Sequence, residues 1–325
     1  MRITLFGGAG FVGLNLAAVL LARGHHVTLF DRQALSAAAQ GSFTDGAQRI
    51  SAVQGDVTDK AAVESVIAQG CDGIVLGAAI TAGAERDASD PESILQVNLL
   101  AQIPILQAAR RQGVGRVINL SSAAAYGAAG QRCQLLREEM ACDPISLYSI
   151  TKFASERAVA RLAELWDCDF LSVRLSGVFG PWESIGGLRD TPSPHAQILA
   201  AFDRREPALL PRPGVKDWIY ATDVAEALAL LLEAPRPRHR LYNISSGTEW
   251  SALRWGEAFA ALHNGFECRL AASGEAVNVD PNGPERAPLA VERMAQEFGW
   301  RARFGCADSA ADLSRWWIRY RREDA

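Results

Sequence analysis

Gly7-Gly-Ala-Gly10-Phe-Val-Gly13 joins an apolar run, Ile3–Phe6, directly to a segment of helical period, about Phe11 to Ala22. That junction is the strongest constraint on the fold, because a strand that turns at once into a helix begins a βα unit. The pattern then repeats. Apolar runs at Val27–Phe30, Ile50–Gln54, Gly73–Ala78, Arg116–Leu120 and Phe170–Leu175 alternate with helix-period segments near Lys60–Gln69, Pro91–Gln112 and Leu147–Leu165. Such alternation predicts an α/β fold of the doubly wound, Rossmann type, a parallel sheet with helices on both faces.

Beyond Gly180 the texture changes. Pro181 to Pro194 is rich in Gly, Pro and charge and reads as a long connecting loop. Asp223–Glu233, Ala252–His263 and Leu289–Phe298 read as helices, with Leu241–Ile244 as a short strand. We expect two parts, residues 1–175 binding a cofactor and 176–325 a smaller α/β part binding substrate, with a soft boundary and interleaved elements. At 325 residues and 49% hydrophobic content the chain is long enough to bury a substantial core.

The glycine segment has the form of a phosphate cradle. Gly7 permits the tight turn, Gly10 lets the backbone approach a pyrophosphate, and Gly13 permits close packing of helix on strand. Phe11 and Val12 open the helix whose free N–H groups face the phosphates. Asp31 ends the second strand, where a carboxylate accepts hydrogen bonds from both ribose hydroxyls and repels a 2′-phosphate. NAD is therefore expected over NADP, with Arg32 next door as the residue that would accommodate the extra phosphate. Asp56 and Val57 follow the third strand. Asp56 is a candidate acceptor for the adenine amino group or, alternatively, an Asx turn.

Tyr148 and Lys152 stand four residues apart on one helix, so their side chains are neighbours. A tyrosine has a pKa of about 10 and needs a fixed cation beside it to serve as a base near neutrality. Ser122, at a strand end, is a candidate donor to a developing oxyanion, although Ser121-Ser122 also fits an ordinary strand-end turn.

In this order, Gly7–Gly13, Asp31, Gly55-Asp56-Val57, Leu76-Gly-Ala-Ala79, Asn98, Ser121–Gly127, Tyr148–Lys152, Arg174–Pro181, Asp217–Val224 and Tyr242–Gly247 resemble the extended short-chain dehydrogenase/reductases. The branch they resemble most is the NAD-dependent epimerase/dehydratase group typified by UDP-galactose 4-epimerase. The resemblance implies NAD as cofactor, Ser122 on the reacting oxygen and Tyr148 as acid/base. It also implies that Lys152 holds the nicotinamide ribose and lowers the tyrosine pKa. Ala78, Ala79 and Thr81 would line the cofactor, and Asn98, on the helix beneath the site, would also belong to the cofactor-binding residues. A homodimer through the helices near Pro91–Gln112 and Leu147–Leu165 is likewise implied.

Departures from the family pattern narrow the chemistry. Where the family's 4,6-dehydratases carry Asp-Glu, this chain has Ala123-Ala124, so elimination of water is not expected. The additional Cys or His of the branch that also isomerises C3 and C5 is missing from Ser121–Gly127, with Cys133, Cys142 and His195 left as residues that loops would have to bring in. Where the sugar-nucleotide enzymes carry Asn and Arg, this chain has Gly177 and Lys216. Lysine neutralises phosphate without the bidentate fork. Arg189, in the segment after Pro181, is the candidate partner for a substrate anion. The expected activity is oxidation of a secondary alcohol on a sugar or nucleotide sugar, as epimerase or dehydrogenase. A smaller sugar acid or other hydroxy compound, or a non-catalytic NAD sensor on the same fold, are the alternatives.

Composition excludes other classes. A net charge of −4 gives no basic footprint for nucleic acid, and Arg315–Arg322 with its aromatics reads as a terminal amphipathic helix. The six cysteines have no metal-ligand spacing. No signal peptide or bilayer-length apolar run is seen, so a cytoplasmic protein with a small-molecule partner is expected.

Overall fold

The computed structural model describes residues 1–183 and 192–321. Its centre is a seven-stranded parallel sheet in the order Leu241–Ile244, β6 (Phe170–Leu175), β5 (Arg116–Ser122), β4 (Gly73–Leu76), β1 (Arg2–Phe6), β2 (His26–Asp31) and β3 (Ile50–Gln54). This is the Rossmann-type architecture expected. Strand order reverses between β1 and β4, the switch point at which ligands of such sheets bind.

Period-two alternation sends the strand side chains to two cores. Ile3, Leu5, Leu29, Val75, Ile118 and Val173 pack under α1 (Phe11–Ala22) and the helix Ala221–Glu233. Phe6, Phe30, Ile74, Leu76, Val117 and Phe170 pack under Lys60–Ala68, Gln102–Arg111 and Leu147–Trp166 on the other face. The chain crosses position 176 and later returns to the sheet, since Leu241–Ile244 pairs with Ser172–Leu175 of β6.

A third core lies beside the sheet. Phe179, Ile198, Leu199, Trp218, Trp250, Trp255 and Phe259 fill it, bounded by three two-stranded pairings such as Val215–Lys216 with Trp250–Ser251.

Three elements differ from expectation. The Gly73–Ala78 run ends as a strand at Leu76, because Gly77 and Ala78 turn across the end of β1, with Gly77 N–H bonded to Phe6 O at 2.8 Å. The helix expected over Pro91–Gln112 is broken into Pro91–Leu95, a π turn Gln96–Leu100, and Gln102–Arg111. Pro104 has no N–H for the Leu100 carbonyl, and Ala101 N–H bonds instead to Gln96 O at 2.8 Å. The expected loop ends in a helix, Pro194–Asp203, whose cap Ser193 accepts the Ala196 N–H at 3.2 Å. Serine before proline is a helix-start signal that the glycine-rich surroundings obscured.

Candidate functional site

A cleft of about 840 Å³ runs along the carboxyl ends of the strands. At one end the glycine loop lies against β4. Gly7 adopts φ +78°, and a β-carbon there would fall 2.5 Å from Ala78 N, so any larger residue would push the loop off the sheet. Helix α1 starts at Gly10 without a side-chain cap or an acidic first turn, leaving its N–H groups open to an anion. Gly10, Phe11, Val12, Gly13, Asp31, Arg32, Asp56, Val57, Ala78, Ala79 and Thr81 all reach the cleft wall. The Thr81 hydroxyl is buried with no hydrogen-bond partner among the described residues.

Asp31 has a task the sequence did not disclose. Its Oδ2 accepts the Ala9 N–H at 3.0 Å and its Oδ1 the Gln33 N–H at 3.0 Å, which ties the glycine loop to the end of β2. Asp56 forms the Asx turn: Oδ1 accepts the Thr58 N–H at 2.8 Å and the Thr58 hydroxyl at 2.7 Å. Those bonds, the backbone one foremost, hold its carboxyl below the usual range.

Ser122, Tyr148 and Lys152 all line the same cleft. Ser122 ends β5 and caps the turn after it, accepting the Ala124 N–H at 3.1 Å. Tyr148 and Lys152 lie on the helix Leu147–Trp166, begun by a Ser146–Ser149 capping box. Asp87 holds its first turn by accepting the Leu147 N–H at 3.0 Å. The Lys152 ammonium donates to Leu120 O at 2.7 Å and lies 5.7 Å from the Tyr148 ring centroid. Burial lowers the lysine to about 8, opposed by Glu156 one turn on.

Below these residues Glu156 takes two hydrogen bonds from Arg174, at 2.9 and 2.6 Å, and one from the Ser121 hydroxyl. Arg174 also sits 4.3 Å from the Tyr126 ring centroid. Asn98 is corrected by the structure. It is fully buried, away from the cleft wall, where its amide accepts the Ile80 N–H at 2.7 Å and donates to Ile80 O at 3.0 Å and to Thr151 Oγ1 at 3.2 Å. It therefore fixes the wall after β4 to the Tyr148 helix and does not face a ligand.

The far end is built from distant segments. Lys216 donates to Asn282 O and lies 5.0 Å from the Trp218 ring centroid. Burial, then the charges of Arg286 and Arg212, push its ammonium down to about 8, against Asp217 and Asp280. Arg286 was not anticipated; it pairs with Asp217 at 2.9 Å and donates to Ser176 Oγ at 2.8 Å. Trp182 was also missed. It lines the cleft at φ +70°, uncommon for a bulky residue, with Trp316 and Tyr320 of the terminal helix against its ring at 5.1 and 4.8 Å. Arg189 lies outside the described residues. His195 is buried behind Trp218, 3.8 Å from the Phe179 ring, and Cys133 and Cys142 pack around Leu136 and Tyr126, so none of the three reaches the cleft.

The sequence model of the NAD dependent epimerase/dehydratase family matches residues 3–245. The chain belongs to that family. Among its relatives, a UDP-glucose 4-epimerase of Corynebacterium glutamicum is 30% identical over 322 residues, covering 92% of this chain and 90% of the relative. A dTDP-glucose 4,6-dehydratase of Mycolicibacterium smegmatis is 30% identical over 236 residues, 71% of this chain and 69% of the relative. Among solved structures, MoeE5 in complex with UDP-glucuronic acid and NAD superposes with a TM-score of 0.77 at 22% identity, covering 98% of this chain and 99% of that one.

The residues present fit the cofactor of this NAD-dependent family. A cradle only glycine can form at position 7, an uncapped helix start and the unpartnered Thr81 hydroxyl converge on one wall. Among the described residues no helix is long and apolar enough to cross a membrane.

Proposed function

We propose that this protein oxidises a secondary alcohol on the sugar of a nucleotide sugar, with Ser122, Tyr148 and Lys152 as its catalytic residues. The observation that supports the reading is that all three line one cleft, which the glycine loop, Lys216 and Arg286 also line. Bound NAD supplies the hydride acceptor. Tyr148 takes the hydroxyl proton, Ser122 donates to the same oxygen as charge develops on it, and the positive charge of Lys152 favours the phenolate. Lys216 and Arg286 hold the substrate's anionic group.

Ala123 and Ala124 offer no acid or base beside Ser122, which favours oxidation with return of the hydride, or net oxidation, over elimination. The test is direct. Incubation with UDP-glucose, UDP-galactose and UDP-glucuronate should give either NADH absorbance or an epimer detectable by chromatography. A 4-keto-6-deoxy product from dTDP-glucose would overturn the argument from Ala123 and Ala124.

A homodimer belongs to the same reading. The segments Pro91–Leu100 and Leu147–Trp166 leave Leu95, Leu100 and Ile150 exposed. Sedimentation should give twice the chain mass, and Leu100→Glu should shift it to monomer.

A further inference from the structure

Gly177 and Trp218 both line the substrate end of the cleft and are matched in size. A β-carbon on Gly177 would stand 2.5 Å from Cε3 and 2.6 Å from Cζ3 of the indole, so Trp218 occupies the place a side chain at 177 would take. The indole is held in that position. The His195 ring packs edge-on behind it at 4.9 Å, and the Trp218 Nε1–H donates to Gly214 O at 3.2 Å. With the N–H engaged inside the protein, Trp218 contributes no hydrogen-bonding group to the wall.

Charge at this end is uneven. Asp217 neutralises Arg286 at 2.9 Å. Lys216, whose Nζ donates to the Asn282 carbonyl beside the indole, has no carboxylate within salt-bridge distance among the described residues. An apolar surface next to an ammonium that no carboxylate touches suits a ligand with carbon-bound hydrogens on one side and an anion adjacent.

We propose that Trp218, admitted by the missing side chain at Gly177, sets substrate specificity by presenting an apolar wall to the sugar ring beside Lys216, which carries the adjacent phosphate or carboxylate. This deepens the nucleotide-sugar reading and rests on it. A carbon face of the ring gains by leaving water against the indole. A hydroxyl turned to the same wall loses its water partner and gains none, weakening binding by about tenfold or more.

The test measures calorimetric binding of UDP, UDP-glucose and UDP-glucuronate to the NAD-loaded protein. The ratio of UDP-glucose to UDP affinity isolates the sugar. Gly177→Ala should lower that ratio about tenfold with NAD affinity unchanged, and Gly177→Ala/Trp218→Phe should recover most of it, because the smaller ring returns the space. Lys216→Gln should weaken all three ligands if the anion is phosphate, or UDP-glucuronate alone if it is carboxylate. Equal change for UDP and UDP-glucose in both Gly177→Ala and Trp218→Phe, or no change in either, would overturn the proposal. Should Gly177→Ala unfold, Trp218→Phe decides by the same ratio. If the wild type binds none of the three, the nucleotide-sugar reading fails by itself. Glucose 1-phosphate and glucuronate, measured against inorganic phosphate, then replace them, and the same selective loss must appear or the proposal falls too.

Discussion

At the cofactor end of the cleft the groups that face a ligand are largely backbone, brought together by short stretches of chain: the turn after β1, the start of α1 and the ends of β2 and β4. At the substrate end they are side chains, with Ser176, Lys216, Trp218 and Arg286 assembled from three segments spread over more than a hundred residues of chain. Backbone N–H groups carry no ionisation cost, so the first end binds with little buried charge of its own. The second holds charges in a buried setting, and its behaviour depends on how each is compensated. Tyr148 and Lys152 line the same cleft.

The most severe break in that division is Tyr148→Phe. Losing a positioned acid/base costs about 10²- to 10⁴-fold in turnover, while NAD affinity, set at the other end, should stay within about twofold. Normal turnover would move the proton transfer to another residue.

The layer under both ends is tested by Glu156 and Arg174, whose side chains are 4% and 2% exposed. Arg174→Met leaves a buried carboxylate without its partner and should cost about 3–5 kcal/mol in denaturant unfolding. Arg174→Met combined with Glu156→Leu should recover much of that loss. A loss under about 1 kcal/mol for the single change would mean the pair is compensated by other groups.

Asp31→Ala sharpens the comparison at the cofactor end. It removes a ribose acceptor and also releases the Ala9 N–H, so NAD affinity should fall about tenfold to a hundredfold, as charged hydrogen bonds of about 1.5–3 kcal/mol are lost. NADP, with Arg32 retained, should fall less. Equal losses for the two cofactors, by fluorescence titration, would show that Asp31 serves the loop alone.

The same contrast explains what could be read from sequence. Gly7, Asp31, Ser122, Tyr148 and Lys152 are positioned by elements whose period and spacing are local, and each reaches the cleft. Arg286 and Trp182 carry no local signal. One acquires its place by pairing with Asp217 some seventy residues earlier, the other by packing on Trp316 and Tyr320. Asn98 was legible as a polar residue on a helix near the site, but only the tertiary contact with Ile80 turns its amide into the fold. The break in its helix was written in Pro104, and the apolar periodicity on either side masked it.

Lys216 tests the electrostatics of the substrate end. Its folded value of about 8 lies below the ordinary 10.5, so between these values the folded protein releases a proton that the unfolded chain keeps. Stability contributed by this group therefore rises with pH across that window, whereas attraction for an anion falls. KM for an anionic substrate should climb about tenfold from pH 7 to pH 9, and Lys216→Arg should flatten the profile, because guanidinium stays charged. Lys152, also near 8, would affect kcat, so the two are separated by following kcat and KM apart. A flat wild-type KM would show that Lys216 does not bear the anion.

The smallest expected effect lies behind the wall. His195 is fully buried among Phe179, Trp218, Trp250 and Trp255, and neither ring nitrogen has a hydrogen-bond partner among the described residues. Burial, then the nearby charge of Lys216, pushes its pKa well below 6.5, so the folded protein keeps the ring neutral while the unfolded chain takes up a proton below that pH. Stability should then fall by about 1.4 kcal/mol per pH unit once pH drops below about 6.5. His195→Phe removes both unsatisfied nitrogens, and after some cost for the larger ring it should gain about 1 kcal/mol at neutral pH. The advantage should widen on acidification from pH 7 to pH 5.5. Thermal melts at the two pH values read the difference. Parallel slopes for the two proteins would mean that a water or a shift of the aromatic wall satisfies His195, and the rigid backing assigned to Trp218 would have to be given up with it.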